Sequence, residues 1–430
     1  MIRSIYHILI GLCVIFYSCT KEFTPNTTNV TEIENSIVSD RQKSAVKNLE
    51  SMLAAIDSAM VKTRGYSDLK EIKNVEVVRN IMPTTRISTK VDSLLFIVNF
   101  KDEKGYAILG ANDYIDDVLA IVDNGNLSAD EFLFSRSVNL DADAHMLHEH
   151  ILNYTLRTIK TNSMQHTIQG YYPIDGWNLS IIVPAMLTTT WHQYPPYNMY
   201  CPQKNGQHCL AGCVAIAAAQ IIAYNKLTYG IGVDKLATYK LNWSGIFDEM
   251  ENPGTNVAAA AMLIRAVGKC VLTDYGLSGS SSDIYRATYA FASMEYFYLR
   301  INDYATKHAY KTVVDRRIPA YTRGVCYDSN GKKVGGHAWV IDGYYKYQRA
   351  IYDKPYDPFN PFVEPPKVIG TETHHLVHCN FGWANGTANG YYLSGIFDLE
   401  DGAKELDPGS QPTNISTWKD MQIMDYQLDI

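Results

Sequence analysis

Cys213 stands at the first turn of an apolar, alanine-rich run, LAGCVAIAAAQIIAYN (residues 210–225), directly behind Gly212. The run beyond it is apolar on every face, which predicts a helix buried all round. A thiol attacks only as thiolate, and two arrangements lower its pKa: a helix N-terminus and an adjacent imidazolium. Cys213 has the first by position. Buried cysteines are also common as inert packing, so reactive chemistry here needs a partner. His337 is the best candidate. In KKVGGHAWVIDGYY (332–345) it follows two glycines, which leave room for another chain to approach, and it opens a strand. A thiol with a histidine base suits acyl transfer, which also requires donors for a tetrahedral oxyanion. The backbone N–H of Cys213 would be one donor. Gln193, in TTTWHQYPPYN (188–198), offers a side-chain amide as the other.

These residues need elements to hold them. Past about residue 180 the texture is helical to about residue 300, then strands and turns to the end. Upstream, Ser39 and Gln42 make a capping-box pattern. Val46, Leu49, Met52, Leu53, Ile56 and Met60 then recur at helical spacing, predicting a helix over 39–60. LLFIVNF (94–100), YAILGA (106–111) and VLAIVD (118–123) read as strands, with KDEKG as a hairpin loop between the first two. One helix and an antiparallel sheet predict a small α+β domain by about residue 125. A second helical stretch near 141–160 leads to KTNSMQHTIQG (160–170), a polar segment read as an exposed, cleavable linker.

Of the 430 residues 46% are hydrophobic and 19% charged, so the chain is globular rather than disordered. A net charge of −7 without a basic cluster gives no reason to expect a nucleic-acid partner. The 31 tyrosines form no motif and read as core and cleft filler. At the start, Arg3 precedes an apolar stretch from Ile5 to Tyr17 and then Ser18-Cys19. That stretch is too short to span a bilayer and suits the core of a signal peptide. A small residue before a cysteine, with polar residues after it, resembles a bacterial lipoprotein signal, which would leave Cys19 as the lipidated N-terminus. Phe16 stands where leucine is usual, and ordinary secretion with nearby cleavage is the alternative. Six cysteines remain outside the signal: Cys201, Cys209, Cys213, Cys270, Cys326 and Cys379. Spacing leaves a Cys201–Cys209 disulfide open. C-x-x-C pairs are absent, so no structural metal and no cofactor are expected. In HMLHEH (145–150), His145 and His148 share a helical face, read as solvated. In HHLVHC (374–379), His374 and His378 fall on one side of a strand with Asn380, where zinc is the rival reading.

Several segments together resemble the streptopain-like cysteine proteases, secreted bacterial zymogens with a papain-like catalytic domain. They are QYPPYN, GCVAIAAAQI, NWSGI (242–246), DYGLSGSSS (274–282) and GGHAWVIDGYY with NFGWANGTANGYY, and they span most of 185–400. The resemblance implies an α+β fold: a papain-like two-lobed peptidase, helical lobe plus antiparallel β lobe, preceded by a small α+β propeptide. It divides the chain into a signal (1–18), an inhibitory propeptide (19–165) and a peptidase domain (166–430). The family's nucleophile maps onto Cys213, its base onto His337 and its oxyanion glutamine onto Gln193. Papain-like enzymes follow nucleophile and histidine with an orienting asparagine, a place that Asn380 would fill. Ser280, Ser281, Ser282, Val334, Gly335, Gly336 and Trp383 would line the substrate site. The family commonly has N-W-G-W where this chain has Asn380-Phe381-Gly382-Trp383, so Phe381 would shield the Cys–His pair less. Implied partners are peptide or protein substrates and the chain's own propeptide as an intramolecular inhibitor, with a membrane only through a lipid on Cys19. The implied place is outside the cytoplasm, as a secreted or surface lipoprotein of a bacterium. Two rivals remain: a thiol amidase acting on cell-wall peptides, for which no wall-binding repeat is present, and a surface-anchored binding protein on a dead peptidase scaffold. Such scaffolds usually lose the nucleophile or the base; both are kept here.

Overall fold

The computed structural model describes residues 27–65, 67–80, 92–134, 142–165, 172–173, 177–327, 332–354, 364–398 and 417–430. The signal and Cys19 therefore lie outside the described residues. Helix α1 (Thr27–Arg64) is longer than the expected 39–60. Of its periodic stripe, Leu49, Met52 and Leu53 are buried, with Ala45, against Phe96, Val98 and Leu109, while Val46 and Ile56 pack beside them partly buried and Met60 is half-buried. Strands β1 (Ile72–Arg79), β2 (Ser93–Phe100), β3 (Tyr106–Gly110) and β4 (Val118–Val122) follow as an antiparallel meander, close to the expected spans. Strands β2 to β4 are buried throughout, which is why their apolar runs do not alternate with polar residues.

Helices α2 (Ala129–Phe134) and α3 (Ala142–Gln165) add to this region, and α3 takes up the first residues of the expected linker. The solvated reading of HMLHEH is corrected: His148 and His150 are both buried. His150 Nε2 lies 2.7 Å from the Ile396 carbonyl oxygen. Burial holds the His150 pKa down to about 4, so this ring is neutral.

Two short strands, β5 (Tyr172–Pro173) and β6 (Asn178–Val183), lead into the helical region. There the hairpins β7 (Gln203–Lys204) with β8 (Gln207–His208) and β9 (Lys235–Leu236) with β10 (Tyr239–Lys240) accompany four helices. The helices are α4 (Cys213–Tyr229), α5 (Trp243–Glu251), α6 (Val257–Cys270) and α7 (Ile284–Ser293). The rest is mostly strand: β11 (Phe297–Asp303), the short helix α8 (Thr306–Ala309), β12 (Ala320–Tyr327), β13 (Lys333–Tyr352), β14 (Val368–Asn380), β15 (Gly390–Leu393) and β16 (Thr417–Gln427). The switch from helix to strand near residue 297 agrees with the change of texture in the sequence.

The antiparallel sheet runs β1-β2-β3-β4-β15-β14-β13-β12-β16-β11, with β5 and β6 also pairing with β13. Strand β13 is its spine. Ala338 and Val340 pack into the helical core, while Trp339 and Ile341 belong to the core on the opposite face. Helix α4 lies between β13 on one side and α5, α6 and α7 on the others, so residues 214–223 are buried all round and its last turn, at Leu227 and Thr228, meets water. That position explains its apolar run from Val214 to Ala223, broken only by Gln220.

The N-terminal elements do not keep a sheet of their own. Val122 of β4 faces Gly390 of β15, and Ala120 faces Tyr392, so one ladder crosses the boundary expected at 165/166. The pairing satisfies a strand edge that would otherwise stand open. Two polar clusters reinforce the junction. Asp117 accepts from Arg41 (2.9 Å), Asn48 (3.0 Å) and Trp177 (3.0 Å), with Arg349 at 3.3 Å. Burial alone would raise the Asp117 pKa, but the Arg41 and Arg349 guanidiniums and the Trp177 N–H hold it down. His378 of β14 forms the second, with Nδ1 2.5 Å from Asp342 and Nε2 2.9 Å from Asp123.

Candidate active site

Helix α4 begins without a side-chain cap. Gly212, its N-cap, has φ 89° and ψ 135°. That left-handed φ suits glycine, and a Cβ there would stand 3.3 Å from the Ser280 Cβ. The first bond at the helix mouth is Ile216 N–H to the Gly212 carbonyl, 3.1 Å. The N–H groups of Cys213, Val214 and Ala215 therefore have no partner in the preceding turn, and they gather the positive end of the helix dipole around the half-buried Cys213.

His337 is buried, and its Nε2 lies 2.7 Å from the Phe381 carbonyl oxygen. A carbonyl only accepts, so Nε2 carries the proton. In the neutral ring the basic nitrogen is then Nδ1. Trp383 backs the imidazole at 5.1 Å between centroids, and Trp339 and Phe381 stack at 6.2 Å.

The 381–383 turn joins the two residues. A Cβ on Gly382 would lie 2.8 Å from Ile216 Cγ2 and 3.6 Å from the Trp191 carbonyl oxygen. Ile216 is one helical turn from Cys213 on the same face of α4. The turn that holds the imidazole thus rests on the helix turn that carries the thiol. Tyr321 gives a second bearing. It pairs with Val340, three residues beyond His337, and burial together with the neighbouring Cys213 pushes its hydroxyl pKa well up. Among the described residues the Cys213 Sγ and the imidazole share no hydrogen bond. Gln193 closes the group: its carbonyl accepts the Ala211 N–H at 3.0 Å, two residues before the thiol. A thiol at an uncapped helix mouth and an imidazole with a basic nitrogen can support nucleophilic attack on a carbonyl, and the Gln193 backbone is anchored beside the helix mouth.

Residues 191–392 match the Peptidase C10 family. Streptopain from Streptococcus pyogenes serotype M28 is 23% identical over 337 residues, covering 67% of this chain and 75% of that protein. Streptopain from serotype M1 gives the same identity and coverage. The chain is a cysteine peptidase similar to streptopain. Among solved structures, a fragment of Prevotella intermedia prointerpain A aligns with a TM-score of 0.49 at 17% identity, over 82% of this chain and 98% of that one. Active interpain A from the same organism aligns with a TM-score of 0.38 at 22% identity, over 56% and 94%.

Several expected site residues of the peptidase lie elsewhere. Asn380 does not orient His337. Its amide donates to the Thr189 carbonyl (2.8 Å), and its Oδ1 accepts from Gln220 (3.3 Å) and from the Gly382 N–H (3.1 Å). The group bonded to the imidazole is the Phe381 carbonyl, which no side-chain motif could announce. Trp383 is fully buried, so it backs the imidazole and does not line a substrate surface. The Ser280 hydroxyl donates to the Leu210 carbonyl at 2.7 Å, which braces its loop against the helix mouth. Ser282 donates to the Val271 carbonyl and is likewise spent on its own loop. Ser281 is exposed, and its backbone pairs with Asp274. Gly335 faces open space; a Cβ on Gly336 would meet the Gly324 carbonyl oxygen at 2.9 Å. The Val334 side chain lies outside the described residues.

Cys201 and Cys209 are buried free thiols. Among the described residues no group of His, Cys, Asp and Glu could hold a metal ion. Two histidines of HHLVHC are taken up in pairing with carboxylates, His378 as above and His374 with Glu372 (3.0 Å) and Asp116 (3.3 Å), while His375 Nδ1 lies 2.7 Å from the Tyr344 hydroxyl.

Proposed function

We propose that Cys213 is the nucleophile and His337 the general base of a cysteine endopeptidase made as a zymogen. The observation that carries this reading is the 381–383 turn, whose carbonyl fixes the imidazole while its glycine rests on the Cys213 helix. His337 Nδ1 takes the thiol proton, and the thiolate attacks a peptide carbonyl. The oxyanion is held by the Cys213 N–H and the Gln193 amide. The imidazolium then protonates the leaving amine, and water hydrolyses the thioester. Ser281, Gly335 and Gly336 would border the bound peptide, and the resemblance to streptopain favours a hydrophobic side chain before the scissile residue.

The elements before residue 165 serve as the propeptide. Their attachment supports an inhibitor held in place by the same sheet that carries His337. Asp123 N–H bonds to the Asn389 carbonyl at 2.9 Å, and Asn389 Oδ1 accepts from the Phe381 N–H at 2.9 Å. Contacts of the N-terminal elements thus end one residue from the group that orients the base. The first eighteen residues direct the chain out of the cytoplasm, with Cys19 as the lipidated terminus.

The test is to purify residues 20–430 and its Cys213→Ala variant, then follow processing and casein cleavage by mass spectrometry. Self-processing and cleavage by the native chain alone are expected. A Cys213→Ala chain that cleaves casein like the native one overturns the assignment.

A further inference from the structure

Gln220 is the one glutamine in the apolar run of α4, and it is fully buried. Burying an amide in an apolar core is costly unless its groups are bonded. Here they are. The Thr189 hydroxyl donates to Gln220 Oε1 at 2.5 Å, and Gln220 Nε2 donates to Asn380 Oδ1 at 3.3 Å. Asn380 Nδ2 closes the ring on the Thr189 carbonyl at 2.8 Å. Thr189 and Asn380 are buried as well.

Each member of the ring sits just ahead of, or two turns beyond, one working part of the site. Gln220 lies two turns along α4 from Cys213, on the face that carries Ile216. Thr189 is four residues before Gln193 on the same segment. Asn380 immediately precedes Phe381, whose carbonyl holds His337, and its Oδ1 also takes the Gly382 N–H. Three separate stretches of chain therefore meet in one closed set of hydrogen bonds, buried where water cannot replace them.

We propose that Gln220 is a positioning residue for the peptidase reaction. It fixes the Cys213 helix mouth, the Gln193 segment and the Phe381 carbonyl relative to one another. This rests on the assignment of Cys213, His337 and Gln193 proposed above. It touches neither substrate nor reacting atoms and acts through those residues. Catalysis is sensitive to such alignment: a displacement of about 1 Å can cost roughly 100-fold in rate.

The test compares the native chain with Gln220→Met, which keeps the side-chain volume and removes both bonds. Steady-state cleavage of a peptide substrate is measured beside urea unfolding. The expected result is a kcat lower by roughly 10- to 100-fold, a KM within about twofold of native, and an unfolding midpoint near native. Thr189→Val opens the same ring without touching α4, and it stands in if Gln220→Met does not fold. The Gln220→Met/Thr189→Val double variant is expected to be no slower than the worse single variant, because both cut one ring. A native kcat in either folded single variant overturns the proposal. So does a loss of kcat that only follows the fraction unfolded, or losses that multiply in the double variant. Cys213→Ala run alongside separates the two levels. If it stays active, the site assignment fails; if it is dead while Gln220→Met matches native, only the positioning role fails.

Discussion

His378 ties the N-terminal strands to the peptidase sheet through its own charge, and that charge can be titrated away. Both ring nitrogens face carboxylates, Asp342 of β13 at 2.5 Å and Asp123 at the end of β4 at 2.9 Å. Burial alone would lower its pKa, but the two carboxylates overcome it and hold it up at about 10, from 6.5 in a free histidine. A pKa raised on folding gives stability that is complete below the unfolded value and is lost as pH rises toward the folded one. The window is therefore about pH 6.5 to 10. Within it each pH unit removes about 1.4 kcal/mol, so the full loss approaches about 5 kcal/mol.

Asp123→Asn is the perturbation to use, because Asp123 is 43% exposed while Asp342 is fully enclosed. The variant keeps the Asp342 pair and removes one of the two carboxylates that raise the imidazole. It should be weaker than the native chain near neutral pH. Its alkaline loss should end at a lower pH, so the two stability curves converge as pH approaches 10. Urea unfolding across that range reads both curves, and titrations of lysines and tyrosines common to both chains cancel in the difference. Native and variant curves that run parallel from pH 6 to 10 would refute the reasoning, because they would mean that His378 carries no extra proton in the folded state.

Three further outcomes follow from the site and the junction. Gln193→Ala should lower kcat by about 100- to 1000-fold with little change in unfolding, as for the loss of one oxyanion donor; native turnover would remove Gln193 from the site. Gly212→Ala forces a side chain into φ 89° beside Ser280 and should cost about 1–2 kcal/mol in urea unfolding, with a slower rate of Cys213 alkylation by iodoacetamide. Asp117→Asn leaves the Arg41 and Arg349 guanidiniums without their shared carboxylate. It should destabilise the chain by about 3–5 kcal/mol and speed amide hydrogen exchange in α1.

What the sequence determined alone is local. The alanine-rich run fixed α4 and put Cys213 at its mouth, because a helix packed on all sides is apolar wherever a buried residue has no hydrogen-bond partner. The apolar runs at 94–100, 106–111 and 118–123 fixed three buried strands. The two glycines before His337 marked its strand, and the order of segments carried the resemblance to streptopain. Tertiary structure decided whatever depends on residues far apart in the chain. The imidazole is oriented by the Phe381 carbonyl, and since every residue has a carbonyl, no residue type could signal it. Asn380 had the right type and place for that role, yet its amide is consumed by Thr189 and Gln220, partners that only folding brings near. His148 and His150 looked solvated because helical periodicity does not say what packs on a face; Phe132 and Phe397 cover them. The sheet crosses from β4 to β15 because backbone edges pair regardless of side chains, so the expected division at residue 165 left no trace in the ladder.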